Sequence, residues 1–201
     1  MGKIWLISDL HFNHQREFVY VPRGFKNVYE MNRAIIENWN RVVAPDDDVY
    51  VLGDLCLGGA NSLQDNKHLI QTLKGNIHIV RGNHDTDARI EMYNECWNVV
   101  EIENVIYPFK YKGYTFYMSH FPTGTANFDD GKALKQKVIC LCGHRHVKNK
   151  FKDMDKGIIY HVEMDCQNNM PIEINKIIED LSYFFTLKQE ERSNLISMEE
   201  L

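Results

Sequence analysis

The chain has 201 residues, of which 44% are hydrophobic and 25% charged, and its formal net charge is −5. That length fits one compact domain, and the composition excludes collagen-like repetition, coiled coil and a wholly disordered chain. The acidic balance argues against coating nucleic acid or anionic membrane by bulk charge, and no apolar run approaches the roughly 18 residues of a membrane span.

In chain order, Lys3–Ser8 reads as a buried strand. The apolar run inside it is too short for a signal-peptide core. Phe12–Glu30, broken by Pro22 and Gly24, reads as a long irregular loop of the kind that carries function. Met31, Ile35, Trp39 and Val42 recur at helical spacing and predict a helix over Tyr29–Val43, stopped by Ala44-Pro45-Asp46. Asp48–Leu52 predicts a second strand that ends at Gly53-Asp54. Ser62 reads as the N-cap of a helix running to Lys74, with Gly75 closing it. Ile77–Val80 is a third strand before the polar run Arg81–Asp85.

Tyr107–Tyr111 and Tyr114–Ser119 flank Lys112-Gly113 as a hairpin. Val138–Cys142 and Ile158–Glu163 predict two further strands. Asn175 reads as the cap of a helix through Leu187, with Ile177, Ile178, Leu181, Phe184 and Phe185 facing inward. No Pro/Gly-rich linker divides the chain. Residues 1–187 are expected to form one domain, and the charged segment 188–201 a C-terminal extension. Five cysteines without a CxxC pair do not make a disulfide framework, so the expected compartment is the cytoplasm.

Polar clusters follow the strand-like runs: Asp9-Leu10-His11, Gly53-Asp54, Gly82-Asn83-His84-Asp85, Ser119-His120 and Gly143-His144-Arg145-His146. Ligands of α/β sheets sit beyond the carboxyl ends of the strands, where these clusters fall. Spacing i,i+2 would place Asp9 with His11, and His144 with His146, on one side of an extended segment. Mixed His, Asp and Asn donors suit Mn, Fe, Zn or Ni better than Mg or Ca, and three acids with several neutral imidazoles suit two dications.

In these residues the sequence resembles the calcineurin-like metallophosphoesterases, whose signature runs DxH, GDxx, GNHD, a later His and GHxH. All five elements occur in that order over residues 9–146. A single four-residue match such as GNHD arises by chance in roughly one chain per thousand of this size. The resemblance implies an α/β fold of two mixed β-sheets packed face to face with flanking helices, a four-layer αββα sandwich. It implies one metal on Asp9, His11, Asp54 and His146, and another on Asp54, Asn83, His120 and His144. His84 would face the substrate, and Asp85 would hold the His84 ring. The family includes interaction subunits that have lost catalytic residues, but here all seven ligand positions and His84 are present.

The expected cofactors are therefore two divalent ions, Mn before Fe, Zn or Ni. Set about 3.5–4 Å apart, they would polarise a phosphoryl oxygen and share an attacking hydroxide. Proton donation by His84 to the leaving oxygen could add roughly 10²–10⁴-fold. The expected substrate is a phosphate diester or nucleotide-like small molecule. The alternative is DNA or RNA bound by the basic stretch Lys132–Lys152, where seven Lys and Arg occur without an acid. Lys148, Lys150 and Lys152 alternate as in a solvent-facing strand. His14, Arg23 and Arg145 are candidate substrate contacts, Arg23 because Pro22 and Gly24 could fix its guanidinium over a phosphate. His68, His78 and His161 read as structural, and Cys140 and Cys142 as packed on one strand face. Nothing in the sequence sets the oligomeric state.

Overall fold

The structure, a computed structural model, describes residues 2–58, 62–123, 138–154 and 157–198. Its first half is a strand–helix alternation: β1 (Ile4–Ile7), α1 (Glu17–Tyr20), α2 (Val28–Val42), β2 (Asp48–Val51), α3 (Leu63–Gln71), β3 (Asn76–Val80), α4 (Asp87–Asn94) and β4 (Val99–Glu103). Then come β5 (Ile106–Tyr111), β6 (Tyr114–Met118), β7 (Val138–Cys142), β8 (Ile159–His161), β9 (Ile172–Glu173), α5 (Ile174–Thr186) and α6 (Gln189–Ser197).

Two mixed sheets result. The first has strand order β4-β3-β2-β1-β9, with β1 to β4 parallel and β9 antiparallel at one edge. The second has order β5-β6-β7-β8: an antiparallel hairpin, then parallel pairing. The hairpin turns on Lys112 and Gly113, both at positive φ, as a two-residue turn matched to strand twist requires.

Strand alternation decides which core each side chain enters. Trp5 and Ile7 of β1, Val49 and Val51 of β2, and Ile77 and Ile79 of β3 meet Met31, Ile35 and Trp39 of α2 on the helical side. Leu6, Leu52 and Val80 point the other way, to Phe116, Met118, Ile139 and Leu141 of the second sheet. The side chains Ile174, Ile177, Leu181 and Phe184 of α5 close that inter-sheet core. Cys140 and Cys142 lie buried on the opposite face of β7 with Ile159.

Several boundaries move. Helix α2 starts at Val28, because Asn27 accepts the Glu30 N–H at 2.9 Å and Glu30 reaches back to the Lys26 N–H. Ser62 makes no capping bond, α3 stops at Gln71, and Gly75 turns the chain beyond it at φ 89°. Helix α5 begins one residue before Asn175, which instead holds Glu173 and accepts from Lys112. Elements α4 and β4 are absent from the sequence expectation: α4 has no apolar stripe, and β4 is a largely exposed edge strand. Residues 147–154 form turns, not the expected strand. In the C-terminal segment, α6 has no fully buried residue, but Asn149 donates to the Leu195 carbonyl and Arg192 to that of Phe184. Among the described residues no helix is long and apolar enough to cross a membrane.

Candidate metal centre

Parallel strands deliver their carboxyl ends to one rim. Asp9 and His11 follow β1, Asp54 follows β2, Asn83 and His84 follow β3, His120 follows β6, and His144 and His146 follow β7. Their meeting does not come from extended alternation. Asp9, His11, Asp54, His144 and His146 all lie at positive φ, between 51° and 79°. Asp and His tolerate this left-handed region better than most residues, yet each such position costs of order 1–3 kcal/mol, and such strain gathers at functional sites.

Two groups of donor atoms form. In the first, His11 Nε2 and His146 Nε2 face each other at 3.1 Å, with Asp9 Oδ1 at 3.7 and 3.8 Å from them. In the second, Asn83 Oδ1 lies 2.8 Å from His120 Nε2 and 2.9 Å from His144 Nδ1. Asp54 Oδ2 stands between the groups, 3.9 Å from His11 Nε2 and 3.5 Å from His120 Nε2. Asp9 Oδ1 is buried and has no hydrogen-bond partner, whereas its other oxygen accepts the His144 N–H at 2.9 Å. An unpartnered buried carboxylate oxygen beside imidazole nitrogens that face one another fits a divalent cation better than it fits a protein hydrogen bond.

The electrostatics agree. Burial pushes His11 down to about 4, only partly offset by Asp9, and burial with His120 also lowers His144. Both rings are therefore neutral near pH 7, the form that ligates metal. Burial tends to raise Asp9, but His11, His120 and His146 hold its carboxyl well below the ordinary range. Burial raises Asp54, with His120 opposing. Tight packing requires the glycines: a Cβ on Gly82 would collide with the Asp54 carboxylate, and one on Gly143 with Asp9.

The remaining candidates separate. The His84 ring is about half exposed, its Nε2 3.9 Å from Asp54 Oδ2, and the His84 N–H binds Asp54 Oδ1 at 2.9 Å. His14 sits beside it at the rim, edge-on to His11 at 5.4 Å, with a pKa lowered by burial and by His84. Asp85 does not hold the His84 ring. Its buried carboxylate accepts the N–H groups of Asp54 and Gly82 at 2.9 and 2.8 Å and the Tyr93 hydroxyl at 2.8 Å, so it fixes the backbone under Asp54. Removing it would leave the Asp54 and Gly82 N–H groups unpaired and the Tyr93 hydroxyl with only Cys56 Sγ, at 3.2 Å. Asp85→Ala should cost about 3 kcal/mol or more in urea unfolding of the metal-free protein.

Arg23 does not face a phosphate. Its side chain is 1% exposed and pairs with Asp165 at 2.8 Å. Arg145 turns to Asp153 instead. In the basic stretch, residues 132–137 lie outside the described residues, while Lys148 donates to the Pro22 carbonyl and Lys150 pairs with Asp180. His78 lies between Asp48 and Glu101 on the sheet. His161 is buried between Asp153 and Glu163, consistent with a structural role.

The sequence reading overlooked Glu163 and Asp165. Glu163 accepts the Arg145 and Val147 N–H groups, supporting the loop between His144 and His146. Asp165 Oδ2 lies 3.0 Å from His146 Nδ1. Both follow β8, so the strand-end rule that singled out the other clusters also applied here. Burial opposes the Asp165 charge, but His146 and Arg23 bring its pKa down to about 2 from 3.8. At about 1.4 kcal/mol per pH unit, that depression corresponds to roughly 2 kcal/mol. This stability is fully present above about pH 4 and lost as pH falls through 2. Acid titration of metal-free protein should show that loss, and Asp165→Asn should abolish it.

A two-sheet α/β sandwich thus gathers a buried Asp/His cluster at its strand ends, a donor set that could hold metal ions. The chain belongs to the calcineurin-like phosphoesterases, whose family model matches residues 2–196. It is 43% identical to an uncharacterised protein of Methanocaldococcus jannaschii, over 89% of this chain and 91% of that one. It is 26% identical to the gene 66 protein of Mycobacterium phage D29, over 90% and 98%. A solved Aquifex aeolicus protein of unknown function shares the fold at TM-score 0.64 and 21% identity, covering 89% of this chain and 99% of that one. The family is metal-dependent, and the Asp/His groups Asp9, His11, His146 and Asp9, Asp54, His120 could each hold an ion.

Proposed function

We propose that the chain is a cytoplasmic, binuclear metal-dependent hydrolase of a phosphate diester or small nucleotide-like phosphate. The observation that carries this reading is the convergence of seven donor side chains in two groups, with Asp54 between them. Asp9, His11, Asp54 and His146 would hold one ion, and Asp54, Asn83, His120 and His144 the other, with Mn²⁺ the best match. Bound divalent ions supply Lewis acidity toward a phosphoryl oxygen and lower the pKa of a water from about 15.7 toward 7.

The chain's own residues supply the rest. Asp9 and Asp54 bring negative charge to the centre, and neutral His11 and His144 add donors without adding positive charge. The exposed His84 ring reaches over the Asp54 side of the centre, where Nε2–H can pass its proton to the leaving oxygen. His14 adds a second imidazole at the same rim for the substrate's departing half. With Lys148 and Lys150 engaged within the protein, the small-substrate reading is preferred to the nuclease reading.

The test is hydrolysis of bis-p-nitrophenyl phosphate by chelator-stripped protein, with and without Mn²⁺. Turnover restored by the metal is expected. Two bound ions without turnover would overturn the diester assignment.

A further inference from the structure

Arg23 and Asp165 are buried, charged, outside both donor groups, and unused by the reaction just described. Apart from a contact of Arg23 Nη1 with Met31 Sδ, their side-chain contacts lead to one half of the centre. Arg23 Nη2 donates to the Asp9 carbonyl at 2.7 Å and Nη1 to the Leu10 carbonyl at 3.1 Å. Its Nε and Nη2 grip Asp165 as a fork, at 3.2 and 2.8 Å. The same Asp165 oxygen meets His146 Nδ1 at 3.0 Å.

Each contact has a geometric consequence. Asp9 is left-handed at φ 57°, and the Arg23 bond captures the carbonyl of that turn, fixing where its carboxylate points. Asp165 holds His146 at Nδ1 and so turns Nε2 toward His11 and Asp9. The second group is built differently: His120 is oriented by the Leu52 backbone carbonyl, and His144 presents Nδ1 rather than Nε2. Arg23 also ties the segment between α1 and α2 to the centre, and the same segment is held by Asn169, which donates to the Arg23 carbonyl, and by Lys148, which donates to that of Pro22.

We infer that Arg23 and Asp165 form a positioning clamp that sets the affinity of the Asp9–His11–His146 site for its cation, leaving the Asn83–His120–His144 site untouched. A buried ion pair is by itself weak evidence of a stabilising role, because desolvation offsets much of its attraction. This pair's contacts with Asp9 and His146 give it another use. The inference rests on the two-site reading above.

Its test needs no substrate. Metal-free wild type, Asp165→Asn, Arg23→Lys and the core truncation Ile177→Val are titrated with Mn²⁺, free ion being followed by electron paramagnetic resonance. Urea unfolding reports the fold of each. The expected result is that both clamp variants weaken one of two sites by 10–100-fold and spare the other. Ile177→Val, destabilised elsewhere, should bind like wild type. Arg23→Lys keeps the charge but loses the fork, so it carries the test if Asp165→Asn does not fold. Two sites of unchanged affinity in a folded clamp variant would overturn the clamp. Equal weakening in Ile177→Val would reduce it to general stability. One ion on wild type would instead sink the binuclear reading, and the clamp is then judged on whether that ion weakens. No bound ion overturns both.

Discussion

Asp54→Asn should leave a folded protein that no longer holds two divalent ions, with hydrolysis reduced to background. Asp54 Oδ2 stands between the His11 and His120 nitrogens, so in the proposed binuclear centre one carboxylate charge would serve both sites. At an effective dielectric near 20, a unit charge 4 Å from another contributes about 4 kcal/mol, and opposite a dication more. Losing about 4 kcal/mol already weakens binding roughly a thousandfold. The metal-free protein should respond in the opposite direction. Burial, together with Asp9 and Asp85, raises the Asp54 pKa, so ionised Asp54 costs stability near neutral pH when no cation is bound. An asparagine removes that cost, and its amide oxygen can still accept the His84 N–H. Urea midpoints should therefore be unchanged or higher for stripped Asp54→Asn, while added Mn²⁺ should stabilise only the wild type. A variant that unfolds without metal would refute this account of the site as charge held under strain.

The same trade explains what the sequence made legible. Short polar clusters after apolar runs marked the strand ends, because a parallel sheet needs its buried runs to stop where the ligands begin. Asp9, Asp54 and His120 could be found that way. The backbone conformation of Asp9, His11, His144 and His146 could not, since i,i+2 spacing suggests an extended segment and the chain instead turns left-handed at all four. Asp85 shows a second limit. Adjacent in sequence to His84, it looks like that residue's partner, but it points the other way, beneath Asp54. Arg23 shows a third: an arginine between Pro and Gly reads as a phosphate contact until its partner, 142 residues away, is known. Long-range pairing of charges has no local signature, whereas metal ligands betray themselves by residue type and by order. Helix α4 and strand β4 were missed for a related reason, having too few buried residues to impose a period.

His84→Ala should separate binding from turnover. The ring belongs to neither donor group; its nearest carboxylate contact is Asp54 Oδ2 at 3.9 Å, and its anchoring bond to Asp54 runs through the backbone N–H, which alanine keeps. Two ions should therefore remain, with affinities close to wild type. Turnover of an ester with an alkyl or ribosyl leaving group should fall by roughly 10²–10⁴-fold, the usual contribution of a positioned general acid. A p-nitrophenyl ester should lose far less, because p-nitrophenolate departs without a proton. Measuring both substrates against metal stoichiometry tests the role itself. An equal loss on the two esters would make His84 a contact to the phosphoryl group rather than a proton donor. Loss of an ion would make it a ligand, and the partition of the centre around Asp54 would have to be redrawn.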